Sequence, residues 1–195
     1  MALPADGFDD AVLGRGLPPA AEAALGEAGR LRAADPARAM ALMMRAQALA
    51  PEHPAVLIAF YRDHFYGHRF AAARDVARRA LVVAARALGL PPLWRQAPDL
   101  ALAGAATDPR TRFFLFLLKG YAYLSLRLDD FSEARDALDK LRGLDPDDCV
   151  GGALLEAARV RALVGEDPDE EAFGPVFGAA AWTRARAGGA LGARS

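Results

Sequence analysis

The chain has 195 residues, a formal net charge of −1 and 53% hydrophobic residues, a size that suits one domain or one short repeat array. It holds 46 Ala and 22 Arg but no Asn, and Ile, Val and Thr together number only 13, so helix formers abound while the β-branched residues of a large sheet are missing. An all-β fold is thereby set aside, the near-neutral charge speaks against a nucleic-acid partner, and the single cysteine, Cys149, excludes an internal disulfide or a multi-Cys metal cluster.

Residues 1–19 read as an N-terminal extension. They contain Asp6, Asp9 and Asp10 and lack the basic start and apolar run of a secretory signal, so a cytoplasmic location is expected. The longest apolar runs, 80–85 and 113–118, fall far short of the ~20 residues of a membrane span, and no membrane partner is expected.

A helix is expected over 20–34, followed by the turn Asp35-Pro36. The next helix carries Ala39, Met43, Ala46 and Leu49 on one face and closes at Pro51. A third helix is expected over 54–66, ended by Gly67-His68-Arg69-Phe70. The fourth carries Ala73, Ala77, Ala80 and Val83 and runs to Leu88, where Gly89-Leu90-Pro91-Pro92 stops it. An insertion of about 84–110 contains Trp94 and a short helix near 99–106. A fifth helix is expected over 112–128, then the turn Asp129-Asp130-Phe131. The sixth carries Ala134, Leu138, Leu141 and Leu144 and closes at Pro146. A last helix over 149–164 would cap the array, and residues 166–195 form a tail that is acidic first and then Gly- and Ala-rich.

Three of these helices share the spacing 4, 3, 3. Ala39 to Ala73 is 34 residues, and Ala73 to Ala134 is 61, which is 34 plus an insertion of 27. Each follows another helix, so the unit is a helical hairpin of about 34 residues, with repeats near 20–53, 54–87 and 115–148 inside a domain of 20–165.

The turn stretches from Leu124 to Ala134 and from Phe65 to Ala73, with the exits Leu144-Asp145-Pro146 and Leu49-Ala50-Pro51, resemble the tetratricopeptide repeat family. The first repeat departs from the family pattern, with Ala23, Gly26 and Arg30 where aromatic residues are usual. The resemblance implies an all-α solenoid of stacked hairpins, with small residues at Ala39, Ala73 and Ala134 letting helices approach and Phe70 and Phe131 plugging turns. It also implies a non-enzymatic protein–protein interaction module, an adaptor or an assembly or secretion chaperone, whose first helices line a concave surface. That surface would comprise Leu31 and Arg32, then Ile58, Arg62, Phe65 and Tyr66, then Phe116, Lys119, Tyr123 and Arg127, with Arg161 from the capping helix. This row mixes aromatic anchors with cations and has no carboxylate, so the expected partner is an acidic or C-terminal carboxylate-bearing peptide segment. The competing reading makes Phe65, Tyr66, Phe116 and Tyr123 core residues and the arginines a solvated face. The family's chaperone-binding carboxylate clamp is not matched: the corresponding positions are Ala21, Ala24, Leu25 and Ala28. Arg112-Phe113-Phe114-Leu115 resembles type III secretion translocator chaperones. The His-Phe-Tyr stretch and the Leu-Lys-Gly-Tyr-Ala-Tyr-Leu stretch are similar to small repeat proteins found with nitrogen-fixation genes.

Residues that carry chemistry are sparse. His64 and His68, four apart, would share a helix face, but three ligands are needed for a metal site, and Gly67 ends the helix before His68. Cys149 sits where a helix dipole lowers a thiol pKa, against Asp147 and Asp148, which raise it; packing or capping is the expected role. Ser125, Ser132 and Ser195 lie in no nucleophile elbow and no Gly-rich phosphate loop occurs, so neither enzyme activity nor a cofactor is expected. Charge is uneven: residues 62–95 hold seven Arg against two Asp, 129–148 hold eight acids against three bases, and 166–171 add five acids. Two alternatives follow, an accessory factor for metalloenzyme maturation using His64, His68 or Cys149, and a homo-oligomeric scaffold assembled through the charge polarity.

Overall fold

The computed structural model describes residues 16–98 and 108–163. The protein is all-α: among the described residues there are seven α-helices, one three-residue 3-10 turn at Trp94–Gln96, and no strand. The helices are α1 (Pro19–Leu31), α2 (Pro36–Leu49), α3 (Pro54–Tyr66), α4 (Phe70–Ala87), α5 (Pro109–Arg127), α6 (Phe131–Leu144) and α7 (Ala153–Leu163). They fall into two compact units, one holding α1–α4 and the other α5–α7. Consecutive helices pack as hairpins, α1 with α2, α3 with α4, and α5 with α6. No helix among the described residues is long and apolar enough to cross a membrane.

The helix starts follow from local chemistry. Proline at the first turn has no N–H to satisfy, and in α2, α3 and α5 the residue before it supplies a side-chain cap. Asp35 accepts from the Arg38 amide at 3.0 Å, and His53 Nδ1 accepts from the Ala55 amide at 3.2 Å. Asp108 accepts from the amides of Arg110 and Thr111, each at 3.3 Å, and from the Thr111 hydroxyl at 2.8 Å. Burial works against the Asp108 charge, but the Thr111 hydroxyl and the two amides prevail and hold its carboxyl below the usual range. Asp130 caps α6 through the Glu133 amide at 3.3 Å, and Glu133 accepts the Tyr121 hydroxyl at 2.5 Å, fastening α5 to α6.

The turns of the second and third hairpins match residue for residue. His68 and Asp129, 61 apart like Ala73 and Ala134, both take left-handed backbone, with φ of 55° and 57°. In each, the next amide reaches back five residues: Arg69 N–H to the His64 carbonyl at 2.8 Å, and Asp130 N–H to the Ser125 carbonyl at 2.9 Å. Ala39, Ala73 and Ala134 are buried, as close packing of paired helices requires. In the first unit alanines supply much of the core, whereas in the second α5 buries Phe113, Phe114, Leu115, Leu117 and Leu118 on nearly every side.

Several expected boundaries move. The fifth helix begins at Pro109 rather than 112, because Asp108 caps it there. The last begins at Ala153 rather than 149: Asp148 and Gly151 have φ of 51° and 72°, which no helix admits, and Asp148 Oδ1 caps α7 through the amides of Gly152 at 2.5 Å and Ala153 at 3.2 Å. Cys149 is therefore exposed in a turn, neither packed nor in the last helix. Leu49 ends α2 exposed, with exposed Pro51 and Glu52 after it, while Leu144 is sealed and followed by buried Asp145 and Val150. The Asp145 carboxylate accepts from the amides of Cys149 and Val150 at 3.0 and 2.9 Å, which lets a charged side chain sit inside. Most of the N-terminal extension, the short helix expected near 99–106 and the tail lie outside the described residues.

Candidate functional site

Within the first unit, α1, α2 and α3 enclose an open cavity of about 760 Å³. Ala28, Ala39, Met43 and Ala59 give it an apolar floor, and Arg32, Arg62, Asp63, Tyr66 and Arg69 form its polar wall. Of the expected row, Arg32, Arg62 and Tyr66 line this cavity. That row was expected to hold no carboxylate, and this needs correction, because Asp63 follows Arg62 into the wall.

Asp63 is already matched. Arg69 NH2 donates to its carboxylate and, at 3.2 Å, to its carbonyl, while Arg69 Nε donates to His64 Nδ1 at 3.1 Å. Gly67 makes this possible: a Cβ there would lie 2.5 Å from an Arg69 guanidinium nitrogen. Three arginines therefore face one carboxylate, and the charges of Arg32 and Arg62 have no acid opposite them in the cavity wall.

Arg32 and Arg62 differ in character. Arg32 is exposed, lies 5.4 Å from the centroid of the Tyr66 ring and donates to the Arg62 carbonyl at 3.2 Å, bridging α1 to α3. Arg62 is half-buried, and its Nε is fully buried with no hydrogen-bond partner. A desolvated N–H on a cation costs free energy unless an acceptor arrives. Tyr66 is 44% exposed and offers a ring at the rim. Phe65 turns instead to an aromatic cluster at the hairpin turn, with ring centroids 5.8 Å from Tyr61, 5.5 Å from Tyr66 and 6.2 Å from Phe70. Ile58 is buried.

The remaining residues of the row belong to the second unit. Tyr123 is buried, and its hydroxyl accepts from Arg127 at 3.1 Å. Phe116 and Arg161 are half-buried. Lys119 donates to the Val150 carbonyl at 2.7 Å, tying α5 to the turn before α7. Burial pushes its pKa down, with Asp148 opposing. Gly151 and Gly152 allow that approach, since a Cβ would meet Lys119 Nζ at 3.3 Å from the first and Leu141 Cδ2 at 2.8 Å from the second.

His64 and His68 do not share a helix face, because α3 ends at Tyr66 and His68 sits in the left-handed turn. The His64 Nδ1 lone pair is taken by Arg69; burial first, then the Arg69 charge, lowers the His64 pKa against the pull of Asp63, leaving a neutral ring at pH 7. No group of three His, Cys, Asp or Glu able to hold a metal occurs among the described residues. The Cys149 thiol pKa is raised, by partial desolvation and then by the carboxylates of Asp145 and Asp147, so it is not an activated nucleophile. Asp63 was missed because its partner lies six residues on, across a turn, outside the i, i+4 rule. The Asp108-Pro109 start was legible, being a copy of Asp35-Pro36.

No family model matches the chain, and no solved structure matches it. A similar protein is the "Uncharacterized 19.8 kDa protein in nifW 5'region" of Azotobacter chroococcum mcd 1, 41% identical over 115 residues, or 58% of this chain. The chain spans 64% of that relative's length.

Proposed function

We propose that the protein is a non-enzymatic, cytoplasmic helical-repeat module of tetratricopeptide type, which holds a carboxylate-bearing peptide segment of a partner protein in the cavity of α1–α3. The matched turns at His68 and Asp129 and the buried alanines 34 and 61 residues apart support the repeat reading. The single observation that carries the binding reading is the Arg62 Nε, buried without an acceptor in a cavity wall whose one carboxylate is taken by Arg69. A carboxylate on the Arg62 guanidinium, with Arg32 and the Tyr66 ring at the rim and an apolar neighbour on the Met43 floor, complements the cations, ring and apolar floor that line the cavity. Adaptor and assembly or secretion chaperone are the roles such a module fills.

A second reading concerns the partner. The relative's name refers to the nifW 5′ region, which favours an accessory role in nitrogen-fixation metalloenzyme maturation. Since His64 is committed to Arg69 and Cys149 is not activated, that role would run through peptide binding in the same cavity.

The test uses fluorescein-labelled peptides of mixed Glu and Leu, with free or amidated carboxyl ends, and a neutral Gln analogue, read by fluorescence anisotropy. The acidic peptides bind, the Gln analogue with an amidated end does not, and Arg32→Glu with Arg62→Glu abolishes binding while far-UV circular dichroism is unchanged. Equal binding of acidic and neutral peptides, or binding that survives both changes, refutes the reading. Self-association detected instead by light scattering at low salt would support the scaffold alternative.

A further inference from the structure

The wall of the α1–α3 cavity ends in a cluster of three side chains that share their bonds. Asp63 and His64 come from the last turn of α3, and Arg69 is the residue that caps α4. Arg69 divides its donors between the other two. NH2 reaches the Asp63 carboxylate and carbonyl, and Nε reaches His64 Nδ1 at 3.1 Å. The same Nδ1 lies 3.9 Å from Asp63 Oδ2. One ring nitrogen therefore stands beside a donor and beside an acceptor, and a proton decides which of them it serves.

At neutral pH Nδ1 is a bare lone pair and Nε2 carries the ring's proton, as the bond from Arg69 requires. A second proton, taken from solvent, has only Nδ1 to occupy. It turns that acceptor into a donor aimed at the Arg69 Nε–H and sets two cations face to face, so the bond from Arg69 breaks. Asp63 Oδ2 is the acceptor beside the new donor, and an imidazolium bonded to a carboxylate is a charge-assisted pair. Of the elements around His64, α3 supplies Asp63 and the cap of α4 supplies Arg69, and these are the charges that act on the ring; the Phe60 ring lies beside it with centroids 6.1 Å apart. Burial and the Arg69 charge hold the His64 pKa below its usual 6.5 while Asp63 draws it up, so the exchange falls on the acid side of that value. Arg69 lines the cavity and its side chain is 49% exposed, so once off His64 its guanidinium is free to turn to a ligand.

We infer that Asp63, His64 and Arg69 form a proton-operated latch on the cavity: protonated His64 takes over the Asp63 carboxylate and releases Arg69 as a third cation for the carboxylates of a bound peptide. The inference rests on the reading of the cavity as a carboxylate site and adds its regulation. The sign follows from charge. Protonation adds one positive charge beside an anionic ligand, so proton and peptide bind together and affinity rises as pH falls. Each unit by which the bound peptide raises the His64 pKa is worth about ten-fold in affinity, and roughly three- to ten-fold is expected.

The test measures the affinity of the full chain for the labelled Glu/Leu peptide from pH 7.5 to pH 5 by fluorescence anisotropy. His64→Gln, which keeps an acceptor for Arg69 but does not titrate, subtracts the peptide's own protonation. The wild type should tighten on acidification and His64→Gln should not. Asp63→Asn, as a second variant, should bind more tightly than the wild type at pH 7.5 and gain less from acid. In the free protein, the Arg69 Nε–H resonance should move upfield with the same midpoint as the His64 ring resonances. Binding that is present but indifferent to pH, or that tightens equally in His64→Gln, overturns the inference alone. So does an Arg69 resonance that stays in place while His64 titrates. No binding at any pH overturns the peptide reading and the inference with it.

Discussion

Replacing Arg62 with methionine separates the binding reading from a structural role for this side chain. The Nε–H of Arg62 is buried and unpartnered, and a buried donor left in that state costs about 1–3 kcal/mol. Methionine keeps the aliphatic stem that lines the cavity and removes the donor, while the Arg62 carbonyl that Arg32 binds belongs to the backbone and stays. The expected outcome is a folded state stabilised by about 1 kcal/mol, which for a chain of this length raises Tm by ~2–4 °C. The same variant should lose acidic-peptide binding. Thermal unfolding followed at 222 nm, with urea titration as a second measure, gives the number. A drop of 1 kcal/mol or more would refute the reasoning, because it would mean that Arg62 supports the fold rather than waiting for a ligand.

Acidification and one tight glycine supply two further checks. The pKa of His64 is lowered in the folded state relative to its ordinary 6.5, so the unfolded chain binds more protons; the His64 contribution is present above 6.5 and is lost as pH falls below it through the folded value. Urea unfolding at pH 7.5 and 5.5 should show a larger acid-induced loss for the wild type than for His64→Gln, which keeps an acceptor for Arg69 but does not titrate; equal losses would remove His64 as the cause. Gly152→Ala places a Cβ 2.8 Å from Leu141 Cδ2 and should destabilise the protein by ~1–3 kcal/mol in chemical denaturation; an unchanged midpoint would mean that the turn before α7 yields freely.

Periodicity made the architecture readable, and backbone chemistry limited how far. The 4, 3, 3 spacing located Ala73, Ala77 and Ala80, and Ala134, Leu138 and Leu141, all of which are buried, because a helix face repeats on a period that sequence displays directly. Boundaries were less legible where a single dihedral decides them. Nothing local marks Asp148 as left-handed, yet its φ of 51° moves the start of the last helix from 149 to Ala153. The site shows the same division. Arg32, Arg62 and Tyr66, singled out from the sequence, line one cavity with Asp63, which was not. Asp63 escaped notice because its pairing with Arg69 depends on the path of the chain round Gly67. The tie between Lys119 and the Val150 carbonyl spans 31 residues, a contact that only packing creates.

The most direct measurement of the central claim is the side-chain Nε–H resonance of Arg62 in a ¹H–¹⁵N correlation spectrum, followed as an acidic Glu/Leu peptide is added. Donating to a carboxylate should move that resonance downfield and slow its exchange with water, with Arg32 shifting alongside it and Arg69, already engaged by Asp63 and His64, moving less. An Arg62 resonance that stays in place while the peptide binds would contradict the account.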